Sequence, residues 1–137
     1  MSVEPGLVAH LQADAAVAAL IGDRIYPGGR IPEEAPLPAI TYRRVSTFAQ
    51  QGIGGLASLT EVRMQVTAWA EGDSGTATAK QIAAAVVQSL AGFRGEWGAV
   101  PISGINFDDM QDIDPDPDPE VVGVDMDFMI WHRAPVP

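Results

Sequence analysis

Between Asp108 and Glu120 the chain gathers Asp108, Asp109, Asp112, Asp114, Asp116, Asp118 and Glu120, seven of its eighteen acidic residues, with no basic residue among them. Carboxylates at this density suggest two chemistries, cation binding and acid/base catalysis. The spacing of Asp114, Asp116 and Asp118 is that of the first ligands of an EF-hand. Such a loop also needs a tight glycine turn and a distal bidentate Glu, whereas prolines fill the intervening places here. Carboxylate-pair catalysis requires one member to be desolvated so that its pKa rises, and a proline-rich surface loop offers no pocket for that. Positions 115, 117 and 119 lack an N–H, so the segment is expected to be extended, solvated and acidic, without metal or cofactor.

The remaining chemically capable residues are scattered. His10 and His132 stand in no metal-ligand spacing, no Ser is placed as a recognisable nucleophile, and cysteine is absent. Gly52-Ile53-Gly54-Gly55 lacks the Lys and following Ser/Thr of a phosphate loop and leads into no helix, so it reads as a flexible connection. Trp69, Trp97 and Trp131 could form a stacking platform, but base stacking is usually accompanied by a cationic groove. Packing between layers or subunits is the ordinary alternative. Trp69 and Trp131, opposite the core face of their strands, are candidate subunit-interface aromatics. No enzymatic activity is expected.

Charge and length narrow the classes further. Eight Lys and Arg against eighteen Asp and Glu leave a formal charge of −10, which disfavours wrapping nucleic acid or hugging an anionic membrane. The 137 residues fit one domain, 1–137, large enough to bury a core without disulfide or metal staples. No apolar run reaches the roughly 18 to 20 residues of a membrane helix. The N-terminal segment lacks the marks of an export or mitochondrial signal, so a cytoplasmic product is expected.

These residues must be positioned by short elements. Pro5 suits a first helical turn, and the spacing of Leu7, Val8, Leu11 and Ala15 predicts a helix over about 5–13. Asp14 can cap a second helix through Leu20, with Gly22 ending it. Arg24-Ile25-Tyr26 reads as a short strand, and 39–47 as a strand with one wet face. Residues 48–58 read as a long Gly-containing loop. Alternation of Val62, Met64, Val66, Ala68 and Ala70 makes 59–70 the clearest strand. Asp73-Ser74 offers a cap for a helix with the stripe Ala79, Ile82, Ala83, Val86, Val87 and Leu90, ended by Gly92. Residues 99–107 read as a strand broken by Pro101 and Gly104, at an edge or a bulge. Val122, Val124, Met126, Phe128 and Ile130 alternate in a last strand with a wet acidic face. The expected fold is a two-layer α+β domain, a mainly antiparallel sheet with helices on one face.

Five patches of this sequence carry a resemblance. They are Ala18 to Pro27, Pro36 to Ser46, Val62 to Ala70, Leu90 to Gly95 with the helix before it, and Val124 to Arg133. In this order they resemble the tail-completion or tail-terminator family of long-tailed bacteriophages, prophages and gene transfer agents, over nearly the whole chain. The resemblance implies a ring-forming subunit, typically of a hexamer. It would sit at the head-proximal, neck end of the virion tail, stop tube growth, and touch the tail tube protein and the head connector or stopper. It would be made in the bacterial host cytoplasm, with DNA only as passing cargo and no membrane partner. Asp108 to Glu120, or Asp125 and Asp127, are then candidates to face the lumen and repel phosphates. Phe48, Ile53 and Leu56 are candidate anchors of a loop that orders on docking. A head-tail stopper or adaptor and a tube subunit are the neighbouring alternatives, and an acidic cation-binding module the remote one.

Overall fold

The alternation of apolar and polar residues along the long strands decides the architecture, because it gives each strand one face to bury and one to expose. The computed structural model describes residues 2–50, 58–113 and 120–134. Its elements run α1 (Glu4–Ala13), α2 (Ala15–Ile21), β1 (Ile25–Pro27), β2 (Ala39–Gln50) and β3 (Ser58–Glu71). Then follow α3 (Gly75–Leu90), β4 (Gly95–Trp97), β5 (Val100–Ile113) and β6 (Val121–Ala134). The strands form one sheet in the order β1-β2-β3-β6-β5-β4. The β1–β2 pair is parallel and the rest are antiparallel. The α+β expectation holds.

Val62, Met64, Val66, Ala68 and Ala70 of β3 and Val124, Met126, Phe128 and Ile130 of β6 turn to one face, where α3 covers them with Ala79, Ile82, Ala83, Val86 and Leu90. Leu7, Leu11, Val17 and Ile21 bring α1 and α2 into the same core. Each such side chain, fully buried, stabilises the fold by about 1.5–3 kcal/mol. The helix ends differ in chemistry. Asp14 Oδ1 accepts from the N–H groups of Ala16 and Val17 at 2.9 and 3.1 Å, the predicted cap, and Gly22 takes φ 61° to end α2. Ser74 stands at the start of α3 but makes no side-chain cap bond, so that part of the expectation is corrected.

Two further boundaries are corrected. β2 continues through Phe48, Ala49 and Gln50, paired with Glu61, Thr60 and Leu59, where a loop was expected. β5 runs to Ile113, so Asp108, Asp109 and Asp112 lie in a strand and not in a solvated loop. A register shift between Phe107 and Asp109 moves the alternation out of step, which hides the period in the sequence, while Phe107 and Met110 still pair with Phe128 and Met126. β4 is too short to show a period of its own, and its Trp97 packs on Phe93 with ring centroids 5.7 Å apart. The break expected at Gly104 is present as a second shift, between Ile102 and Gly104.

The β3–β6 ladder runs from Ser58 opposite Ala134 to Glu71 opposite Val121. At about 3.3 Å per residue these ends are roughly 40 Å apart. β2 ends at one end of the sheet, with Gln50 opposite Leu59, and β5 at the other, with Ile113 opposite Gly123.

Candidate assembly surfaces

The face of the sheet away from the helices collects the groups that the alternation excludes from the core. Asp125, Asp127, Asp109 and Gln111 of β6 and β5 share it with Gln65, Thr67 and Arg63 of β3. Arg63 Nη1 donates to Asp108 Oδ2 at 3.0 Å and lies 4.0 Å from Asp127 Oδ2. Thr67 Oγ1 donates to Asp125 Oδ1 at 2.6 Å. Partial burial raises the Asp127 pKa. The Arg63 guanidinium opposes that rise, and the carboxylates of Asp109, Asp125 and Asp108 reinforce it. One arginine therefore serves several acids, and the patch stays net negative.

The candidate acids do not stay together. Asp108, Asp109, Asp125 and Asp127 form this patch, whereas Asp112 turns to the helix side, 3.7 Å from Lys80 Nζ. Glu120 is exposed where β6 begins. Asp114, Asp116 and Asp118 lie outside the described residues, as do Ile53 and Leu56 of the expected docking loop. Phe48 is described, and it sits in β2 with 61% of its surface exposed. Sequence reasoning missed Arg63 as the centre of the acidic patch, although its place in the alternation of β3 put it on the wet face.

Trp69 and Trp131 are both half-buried on the open face. Trp69 lies across its own sheet, its Nε1 donating to Thr41 Oγ1 at 2.9 Å and its ring against Gly123, where a Cβ would come within 3.0 Å. Thr41 is fully buried. Trp131 stands opposite Glu61 on one side and Gly104 on the other. Trp97 belongs to the packing instead, its Nε1 donating to His10 Nδ1 at 3.3 Å while His10 Nε2 donates to the Ser89 carbonyl at 3.1 Å. His132 points to the helix side, nearly fully buried. Its Nδ1 has no partner among the described residues, and burial lowers its pKa.

Among the described residues, no group of three or more potential ligands is arranged to hold a metal ion, and no helix is long and apolar enough to cross a membrane. The described residues form a sheet with one face closed by helices, one charged open face, and the short strands β1 and β4 at its margins.

The family model described as "Tail completion protein gp17" matches residues 5–133. The chain belongs to this family. Its members are structural virion proteins, so this tail completion protein is a structural tail component and not an enzyme. A solved chain from the "Virion of native gene transfer agent (GTA) particle" superposes with a TM-score of 0.75 at 22% identity, covering 93% of this chain and 92% of that one. At this identity the match speaks for a shared fold. No curated protein matches the chain in sequence.

Proposed function

We propose that this tail completion protein forms a homohexameric ring at the head-proximal end of the tail tube, where it stops tube polymerisation and joins the tail to the head connector. The observation that carries the reading is the family match over 5–133, reinforced by a fold shared with a chain of a gene transfer agent virion. The geometry is compatible with the role. β2 ends at one end of the sheet and β5 at the other, so one subunit can meet the tube at one end and the connector at the other. A heterologous interface that closes builds a ring from one small domain without starting a filament.

In this ring the open face of β3, β6 and β5 lines the channel. Asp108, Asp109, Asp125 and Asp127 then repel passing phosphates, and the lumen stays non-adhesive to DNA. Phe48, with Ile53 and Leu56, contributes apolar anchors at the docking end.

Deleting the gene and imaging the particles by negative-stain electron microscopy tests the proposal. Overlong tails without heads are expected, because tube growth has lost its stop. Normal-length unjoined tails would make the protein a stopper or adaptor, absent tails a tube subunit, and unchanged particles would remove it from tail assembly.

A further inference from the structure

Both margins of the sheet are stepped. β1 is three residues long and covers β2 only at Ile40 to Tyr42. β4, also three residues long, covers β5 only at Val100 to Ile102, and the Gly92 N–H adds a bond to the Ile105 carbonyl at 2.8 Å. The two steps stand at opposite ends of the strands. Followed across the sheet, β1 lies level with the row Tyr42–Val66–Met126–Met110, and β4 with the row Ala49–Thr60–His132–Ile102. Each margin therefore protrudes at one height and is vacant at the other, because residues 43–50 of β2 and 106–113 of β5 have no outer strand partner among the described residues. Along the vacant part of β5, Phe107 and Met110 turn to the helix side with 37% and 40% of their surface exposed. A groove beside β1 is lined by Tyr26, Pro27, Ile31 and Pro32.

We propose that neighbouring copies interlock through these steps: β1 of one copy fills the vacant place outside residues 106–113 of the next, whose β4 fills the vacant place outside residues 43–50 of the first. The inference rests on the ring reading above and names its interface. β2 of one copy and β5 of the next then stand two strand spacings apart, with β1 in one half of the space between them and β4 in the other. A rotation about an axis along the strands leaves height unchanged, so the rows identify which residues meet. Pro27 comes level with Met110 on the helix side, and Tyr26 with Gln111 on the open side. The groove beside β1 then covers the exposed Met110. Pro27 has no N–H to donate, so the contact is a fit of side chains and not a continued ladder. The helices stay on one side of this seam and the acidic face on the other.

Charge decides which margins meet, since shape alone would also let two β2 margins, or two β5 margins, interlock about a two-fold axis. Several charges near the seam are already paired within the chain, Arg44 with Glu4, Asp108 with Arg63 and Asp112 with Lys80. Arg43 and Asp109 are exposed and form no ion pair among the described residues. They share the row Arg43–Gln65–Asp127–Asp109, so they come level across the seam between the two steps. Two strand spacings leave roughly 10 Å there, which an extended Arg and an Asp side chain span. A two-fold contact would instead bring Arg43 toward Arg43, or Asp109 toward Asp109. The heterologous contact is the one that the charges favour, and it is the kind that closes a ring.

The chain contains no cysteine, which permits a direct test with Pro27→Cys and Met110→Cys placed together in the gene that supplies the particles. Tyr26→Cys with Gln111→Cys, on the opposite face, makes a second pair. Within one copy the members of each pair are four strand spacings apart, roughly 19 Å. A disulfide spans Cα atoms less than about 7 Å apart, so every disulfide formed joins two copies. Mild oxidation of tails followed by a non-reducing gel is expected to show, for at least one pair, a ladder from dimer upward that the single variants lack. Rings visible on the tails without a ladder from either pair, or with a band at dimer only, would overturn the interlock and leave the ring standing. Tails of the parent chain without any ring would overturn the ring reading and the interlock together. In parallel, Arg43→Asp and Asp109→Arg are each expected to reduce joined particles at least tenfold, and the double exchange to restore them. Singles that join normally, or a double exchange no better than the singles, would overturn the heterologous choice of margins.

Discussion

The two faces of the sheet are built from the same strands and solve opposite problems. On the helix side Phe128, Met126, Val66 and Met64 are fully buried within one chain, and nothing outside that chain is needed to close the core. On the other side Asp127, Asp125, Gln65 and Arg63 alternate with them, one residue away in sequence, under no helix. Strand periodicity thus separates buried from exposed groups at single-residue resolution. The helix side supplies the free energy of folding, and the open side is the one that the proposed ring would turn to its surroundings.

The sharpest way to break this contrast is to truncate adjacent residues of β6. Phe128→Ala should lower the unfolding free energy by about 3–5 kcal/mol, the usual cost of deleting a fully buried ring. Met129→Ala, one position on and half-buried on the open face, should cost about 1 kcal/mol or less in the isolated subunit. Urea unfolding followed by circular dichroism measures both. Comparable losses would mean that the open face belongs to the subunit's own core.

Much of this division was legible in the sequence. The alternation of Val62 to Ala70 and of Val122 to Ile130 identified the central strands and which side each residue takes, and the stripe of α3 identified what covers them. The margins were less legible for a physical reason. In β5 the shift between Phe107 and Asp109 interrupts the period, so the strand read shorter than it is. In β2 the expected strand already passed the shift between Arg44 and Ser46, and its end was lost because Phe48, Ala49 and Gln50 adjoin a Gly-containing stretch. The acidic stretch was visible as composition. Its division into an open-face patch around Arg63 and a helix-side Asp112 depends on the register of β5, which no local pattern encodes.

A second prediction concerns the part of the open face that the subunit does close for itself. Trp69 packs against Gly123, close to where a Cβ would stand. Gly123→Ala would place a methyl 3.0 Å from the Trp69 ring and 3.1 Å from Ile113 Cδ1, and overpacking of this kind typically costs about 1–3 kcal/mol. In a Trp69→Ala background most of that cost should disappear, which a double-mutant cycle measures. An undiminished cost would show that Gly123 is required by its backbone and not by the tryptophan.

The smallest effects come from pH, and the two faces should respond with opposite sign. His132, on the helix side, has its pKa lowered by burial, so the unfolded chain binds more protons below the ordinary value of 6.5. Its contribution to stability is complete above pH 6.5 and is lost as pH falls toward and through the folded-state pKa. His132→Leu should flatten the stability profile in that window. Asp127, on the open face, has a raised pKa, chiefly from burial, so the folded state holds its proton more tightly than the unfolded chain. Its contribution is complete below the ordinary value of 3.8 and is lost as pH rises through the raised one. Asp127→Asn should therefore unfold at a higher urea concentration than the parent at pH 7, with the gain vanishing below pH 3.8. A parent more stable than the variant at pH 7 would mean that Arg63 compensates the charge fully. The patch would then be a balanced ion network, not the net negative surface that a DNA channel requires.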